Sequence, residues 1–248
     1  MKTIEIRKCP VCGQEPRIDR VPYKSDHVDF ETMYVECKEC GHGYMKVRPT
    51  DEEYHEMYFG GKYREWLSNG QPKINDWLSD HNRCMRAVGY LVQAKSQGLI
   101  NMTQVLDFGS GLGIIAYLLK VNFNLKVEVV EPNTEWRKYV EQEGIKGYNS
   151  IEEVTNRYDM IVVSHVLEHM TDPITTMLQL GDKLAAAGSL YIEVPIFSPS
   201  LFHPQVFTTR SLQWLAEYTG YRLTGRGELN FQGEKNDSHY LFCSRSEV

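Results

Sequence analysis

The chain has 248 residues, 42% of them apolar, and carries 33 acidic against 27 basic side chains for a net charge of −6 at neutral pH. That length holds one α/β domain of about 150 residues with an appendage. No apolar run approaches the ~20 residues that span a bilayer, and the acidic balance with scattered Lys and Arg leaves no basic stripe of the kind nucleic-acid binders carry. Membrane and nucleic acid are therefore unexpected partners. Met1 to Lys8 runs into a cysteine motif without an apolar stretch, which sets the expectation of a cytoplasmic protein.

That motif, Cys9-Pro-Val-Cys12-Gly, returns as Cys37-Lys-Glu-Cys40-Gly after 24 intervening residues. In each unit a glycine supplies the left-handed turn that lets backbone N–H groups point at two thiolates. Two such turns make a closed tetrahedral four-thiolate site, the usual structural zinc arrangement. Short strands at 16–21 and 33–36 between the turns predict a zinc ribbon over residues 1–48. A unit this small buries little apolar surface, so metal binding would supply much of its folding free energy. Cys84 and Cys243 fall in helix-like and strand-like stretches and read as buried free thiols.

Residues 49–100 read as a helical linker or cap. Thr50 with Glu53 is a capping-box signature, and Gly60-Gly61 should interrupt the first helix. Aromatic residues are dense here, with Tyr58 and Tyr63 as candidates to fold over a ligand cleft.

From residue 101 a third unit, 101–248, begins with the strand Gln104 to Leu106, then Asp107-Phe-Gly109-Ser-Gly111-Leu-Gly113, an apolar helix from Ile114 to Val121, and a second strand, Lys126 to Val130, that ends on Glu131. This is a nucleotide-binding βαβ unit. The glycines allow positive φ and close approach of a ligand to the backbone, and the helix start leaves amides unpaired. Glu131, 22 positions beyond Gly109, can accept the hydroxyls of a ribose. A dinucleotide fingerprint would want its third glycine at Ile114. The G-x-G-x-G spacing, with Asp107 before it, suits a ligand with a cationic amino-acid end, and S-adenosylmethionine fits.

The alternation continues with a helix at 133–143, strands at 146–149 and 158–163, and a helix from Asp172-Pro173 to Ala187, stopped by Gly188. A fifth strand at 189–194 and a helix at 209–219 follow. The strands at 222–230 and 239–244, joined by the polar loop 231–238, have no room for a crossover helix and must pair antiparallel.

On Leu106-Asp-Phe-Gly-Ser-Gly-Leu-Gly113, Val130-Glu-Pro-Asn133 and Val166-Leu-Glu-His-Met-Thr-Asp-Pro173, residues 100–248 resemble the class I S-adenosylmethionine-dependent methyltransferases. The fold so implied is a doubly wound, Rossmann-like seven-stranded sheet with a carboxy-terminal antiparallel hairpin, here joined to the zinc ribbon. The amino terminus is similar to that of bacterial sugar C-methyltransferases, whose E-V-P and H-E-H-x-x-Y-F segments are partly matched by Glu193-Val-Pro195 and His203-Pro-Gln-Val-Phe207. Leu201 and Val206 stand where that pattern has its first histidine and its tyrosine, and the chain is shorter than those enzymes.

The resemblance implies that Gly109, Gly111 and Gly113 shape the loop around the methionine part, that Asp107 takes its ammonium, and that Glu131 binds the ribose. Asn133, Ser150 and the Ile151 amide would edge the adenine. Ser164, His165, Glu168 and His169 would converge near the methyl group. His169 would orient the loop, and Glu168 would bond backbone or cofactor. Transfer to oxygen or carbon needs a base, for which His203 and then His165 are the candidates. The expected acceptor is a small molecule, a sugar or nucleotide-linked intermediate. The alternatives are an RNA methyltransferase that uses the zinc ribbon as a substrate reader, and a non-catalytic cofactor-binding module.

Overall fold

A computed structural model describes residues 1–26, 28–59, 74–98, 102–229 and 238–245. The main sheet has seven strands. β6 (Gln104–Phe108), β7 (Lys126–Val130), β8 (Lys146–Tyr148), β9 (Tyr158–Ser164) and β10 (Leu184–Pro195) run parallel in the spatial order 8-7-6-9-10. Beyond β10 lie β13 (Ser238–Arg245) and then β12 (Tyr221–Leu229), each antiparallel to its neighbour, as the missing crossover demanded. Tyr63 and most of the hairpin loop, residues 230–237, fall outside the described residues, as does the Gly60-Gly61 interruption.

Strand periodicity of two divides the core. Val105, Val129, Met160, Val162 and Tyr191 face one layer, with α2 (Ile74–Ser96) and α3 (Ile114–Phe123) packed over them. Leu106, Ile161, Val163, Leu190 and Ile192 face the other. There α5 (Pro173–Asp182) and α6 (Thr209–Tyr218) cover the sheet, and the same cluster takes in Cys9, Val11, Cys37, Cys40 and Tyr44. The other α-helices among the described residues are α1 (Asp51–Phe59) and α4 (Thr134–Gln142).

The helix expected to run to Ala187 ends at Asp182. Leu184, 1% exposed, pairs with Tyr158 in the sheet, and the register shifts between Leu184 and Ser189. Burial of Leu184 and strand pairing outweigh the helix propensity of three alanines. Gly188 is a close approach, not a helix stop: a Cβ there would lie 2.7 Å from the Tyr158 carbonyl oxygen. Half of the capping box forms, with Glu53 N–H donating to Thr50 Oγ1 at 3.3 Å. The other half does not, because Glu53 Oε1 accepts instead from Lys2 N at 2.9 Å.

The amino-terminal sheet is larger than its two expected strands. β2 (Pro16–Lys24) pairs with β3 (Glu31–Cys37), and β3 with β4 (Gly43–Met45). The fourth strand is β11 (Gln205–Val206), contributed by the segment after β10. β1 (Thr3–Glu5) and β5 (Val47–Pro49) form a separate antiparallel pair.

Candidate active site

The carboxyl ends of β6, β7, β9 and β10 form one edge, the place where open α/β sheets hold ligands. Gly109, Gly111 and Gly113 leave β6 with φ of 73°, 57° and 72°. The three glycines do different work. A Cβ on Gly109 would meet Val166 Cγ2 at 2.5 Å, and one on Gly113 would meet Val140 Cγ2 at 2.5 Å. At Gly111 the nearest atom is Trp136 Cε3 at 4.0 Å, so this position is open for a ligand to approach.

Glu131 is 5% exposed and braces the loop. Its Oε2 accepts from Gly111 N and its Oε1 from Asn133 N, each at 2.8 Å. Asp107 is 2% exposed, the Ala116 amide of α3 donates to it, and its Oδ2 is buried with no partner. Burial first, and the nearby Glu131 second, push its carboxyl up to about 7. An orphaned buried carboxylate oxygen calls for a cation or a donor.

Asn133 Oδ1 is committed as the N-cap of α4, accepting from Glu135 N at 3.1 Å and Trp136 N at 3.2 Å. Ser150 precedes the short turn Ile151–Glu153 beyond β8, and Ile151 is 6% exposed. Both therefore sit at the β7–β8 side of the same edge.

After β9 the chain turns sharply. His165 has φ 56°, a strained value for a residue with a side chain. Its ring lies between two buried carboxylates, with Nδ1 3.5 Å from Glu168 Oε1 and Nε2 3.4 Å from Glu193 Oε1. Ser238 Oγ lies 3.3 Å from the same Nε2, and Tyr191 donates to Glu193 Oε2 at 2.9 Å. Ser164 Oγ reaches Glu193 Oε2 at 3.4 Å. Glu193, fully buried, figures in the sequence reading only within the E-V-P match, which gives it no role; a charged residue inside the apolar strand Leu190 to Val194 was the available signal.

Glu168, His169 and His203 each offer one donor atom within 4.8 Å of the others. Burial alone would raise the Glu168 carboxyl, but the His165 hydrogen bond and neighbouring imidazoles bring it to about 2. Burial and the adjacent His203 lower His169 to about 4, and burial lowers His203 as well. Burial thus disfavours the charged form of both rings.

His203 rides on a loop held by four tyrosines from the amino-terminal part of the chain. Tyr34 donates to His203 O at 2.7 Å, Leu201 N donates to Tyr23 at 2.8 Å, Tyr54 donates to Leu201 O at 3.0 Å, and Tyr58 to Phe202 O at 3.2 Å. Gln205 ties the same loop to His42 at 2.7 Å and to Met170 O at 3.1 Å.

The four motif cysteines come together, with all sulfurs within 4.8 Å of one another, Cys9 3.6 Å from Cys40 and Cys12 3.3 Å from Cys37. Thiolates around zinc in a tetrahedron stand about 3.8 Å apart. Gly13 and Gly41 both have φ 71°, and backbone hydrogen bonds from Gln14, Glu39 and His42 reach the sulfurs of Cys12, Cys37 and Cys40. Cys84 and Cys243 are buried thiols outside any disulfide.

No described helix is long and apolar enough to cross a membrane. No curated protein matches the chain by sequence. Among solved structures, it is similar to a Burkholderia thailandensis 1,6-didemethyltoxoflavin-N1-methyltransferase with S-adenosylhomocysteine bound: TM-score 0.63, 15% identity, over 91% of this chain and 100% of that one. It is also similar to the magnesium protoporphyrin IX methyltransferase of Synechocystis PCC 6803 with bound S-adenosylmethionine: TM-score 0.58, 15% identity, over 79% of this chain and 96% of that one. These likenesses establish the fold. A family model described as a methyltransferase domain matches residues 77–225, more than half of the chain. The glycine loop, the seven-strand order and this match together place the chain in the methyltransferase-domain family, as an enzyme with the class I methyltransferase fold.

Proposed function

We propose that the protein transfers a methyl group from S-adenosylmethionine to a small-molecule acceptor, a sugar or nucleotide-linked intermediate. The observation that carries the donor is the pairing of an open Gly111 with the orphaned Oδ2 of Asp107. A ligand with an ammonium group could meet that oxygen directly or through a water, while Glu131, just beyond β7, accepts its ribose hydroxyls. Ser150 and the Ile151 amide edge the adenine; Asn133 stands at the same edge, its side chain committed to capping α4. Two structural neighbours named for small-molecule acceptors, a porphyrin and a toxoflavin precursor, support the acceptor class, as does the acidic net charge.

When bound, S-adenosylmethionine supplies an electrophilic methyl on a cationic sulfur. The chain's own residues align the acceptor and take its proton. His165 is the proposed proton acceptor, because Glu168 and Glu193 on either side stabilise an imidazolium, and His203 is proposed to face the acceptor from the loop before β11. The four cysteines hold a structural zinc, and residues 1–48, 49–100 and 101–248 act as ribbon, cap and catalytic unit. Through the four tyrosines the ribbon and cap position the His203 loop.

Calorimetry with S-adenosylhomocysteine tests the donor. The wild type should bind it, and Glu131→Ala should weaken binding by about 30-fold or more, from the loss of two hydrogen bonds of about 1 kcal/mol each plus loosening of the loop. Unchanged affinity would remove Glu131 from the ribose role, and no binding by the wild type would sink the donor assignment.

A further inference from the structure

Glu168 and His169 come from the turn after β9, and His203 from the loop before β11, yet their donor atoms converge within 4.8 Å. Both imidazoles are held the same way. His203 Nδ1 lies 2.5 Å from Ser198 O, and His169 Nδ1 lies 2.8 Å from Phe202 O. A carbonyl only accepts, so each Nδ1 carries the proton and each Nε2 keeps its lone pair. Tyr58 fits this tautomer: its hydroxyl donates to the same Phe202 carbonyl, at 3.2 Å, and its oxygen, 2.6 Å from Nδ1, shares the Nδ1–H with that carbonyl. Backbone carbonyls that fix the tautomer and aim of an imidazole are the usual support behind a metal-ligating histidine. A second observation points the same way. Glu168 is 2% exposed, and its Oε2 is buried with no hydrogen-bond partner.

We infer that Glu168, His169 and His203 bind one divalent transition-metal cation, and that this cation receives a hydroxyl oxygen of the methyl acceptor. Two imidazoles and one carboxylate suit zinc, iron, cobalt or nickel better than magnesium or calcium, which take oxygen ligands. Three protein donors leave positions open, and two adjacent open positions take an acceptor with neighbouring oxygens, as a sugar diol has. The cluster adjoins the glycine loop because Val166, next to His165, packs against Gly109.

The part concerning the acceptor rests on the methyl-transfer reading above. In that reaction the cation makes the hydroxyl more acidic, its proton passes to the His165 imidazole, and the oxygen bonds to the methyl carbon. The carbon–sulfur bond breaks with its electron pair left on sulfur, giving a methyl ether and S-adenosylhomocysteine.

The test is a Co²⁺ titration of the full chain with its cysteine site filled by zinc, followed by visible absorption and calorimetry. The expected result is one equivalent bound, with weak d–d bands and no thiolate charge-transfer band, and binding at least tenfold weaker in Glu168→Gln and in His203→Asn. Excess Co²⁺ should also raise the thermal midpoint of the wild type, a readout that needs no variant. Absence of Co²⁺ binding by the wild type, a thiolate band, or binding as tight as the wild type's in either variant would overturn the site. S-adenosylhomocysteine calorimetry on the same samples keeps the two readings apart. A wild type that binds S-adenosylhomocysteine but no Co²⁺ refutes the cation alone, and one that binds Co²⁺ but no S-adenosylhomocysteine supports the cation and refutes the donor.

Discussion

The hydroxyl of Tyr34 in β3 donates to the backbone carbonyl of His203 at 2.7 Å, 169 positions away in the chain, and is shared with Ser200 O at 3.0 Å. The amino-terminal sheet thereby sets the height of a loop that belongs to the catalytic unit. Tyr34→Phe keeps the ring and removes this link. Stability should fall by about 1 kcal/mol, and methyl transfer by about tenfold through misplacement of His203. S-adenosylhomocysteine affinity should stay within about twofold of the wild type. Equal turnover in the variant would show that the tyrosine only packs.

The glycine loop separates packing from ligand access. Gly109→Ala combines a left-handed backbone with an overlap on Val166, so urea denaturation should show a loss of about 3 kcal/mol or more. Gly111→Ala has the backbone strain alone, about 1–2 kcal/mol, and should fold, yet its methyl group occupies the open approach and should abolish cofactor binding. Tight binding by folded Gly111→Ala would place the ligand elsewhere.

Asp107 makes cofactor affinity depend on pH. Its carboxyl is raised from 3.8 to about 7 in the folded chain, chiefly by burial. The folded state therefore holds the proton more firmly than the unfolded state, and the stability this gives is complete below pH ~4 and lost as pH rises to about 7. A ligand ammonium pairs with the ionised form, so binding expels that proton. Affinity for S-adenosylhomocysteine should drop by about fivefold from pH 7 to 6 and level off above pH 7, with calorimetric heats that vary with buffer ionisation enthalpy. Asp107→Asn should bind weakly and lose this pH dependence; an unchanged profile would assign the titration to another group.

Cys37→Ser should contain one equivalent of zinc less than the wild type by elemental analysis. Structural zinc supplies about 10 kcal/mol or more of folding free energy in small units. Cys9, Cys37 and Cys40 share a buried cluster with Val35, Tyr44 and Phe207, so the variant should also melt well below the wild type. A cysteine variant that keeps both its metal content and its melting temperature would sink the four-thiolate site.

The sequence by itself determined the features whose physics is local. Two C-x-x-C-G turns need only their own glycines to aim two sulfurs each, and a G-x-G-x-G run after an apolar strand needs only positive φ and a helix start. The absence of a crossover before residue 239 required the two terminal strands to pair antiparallel, as they do. What only the tertiary structure decided depends on partners distant in sequence. Burial of Leu184 beside Tyr158 turned an alanine-rich stretch from helix to strand. Val206 entered the amino-terminal sheet because Gly43 lay opposite it. Glu193 became a partner of His165 because β9 and β10 are neighbours in register, Ser164 against Glu193. His203 met Glu168 and His169 because tyrosines from another part of the chain hold its loop there. A hydrogen bond or a ligand cluster of this kind has no periodicity along the chain, so no pattern in the sequence announces it.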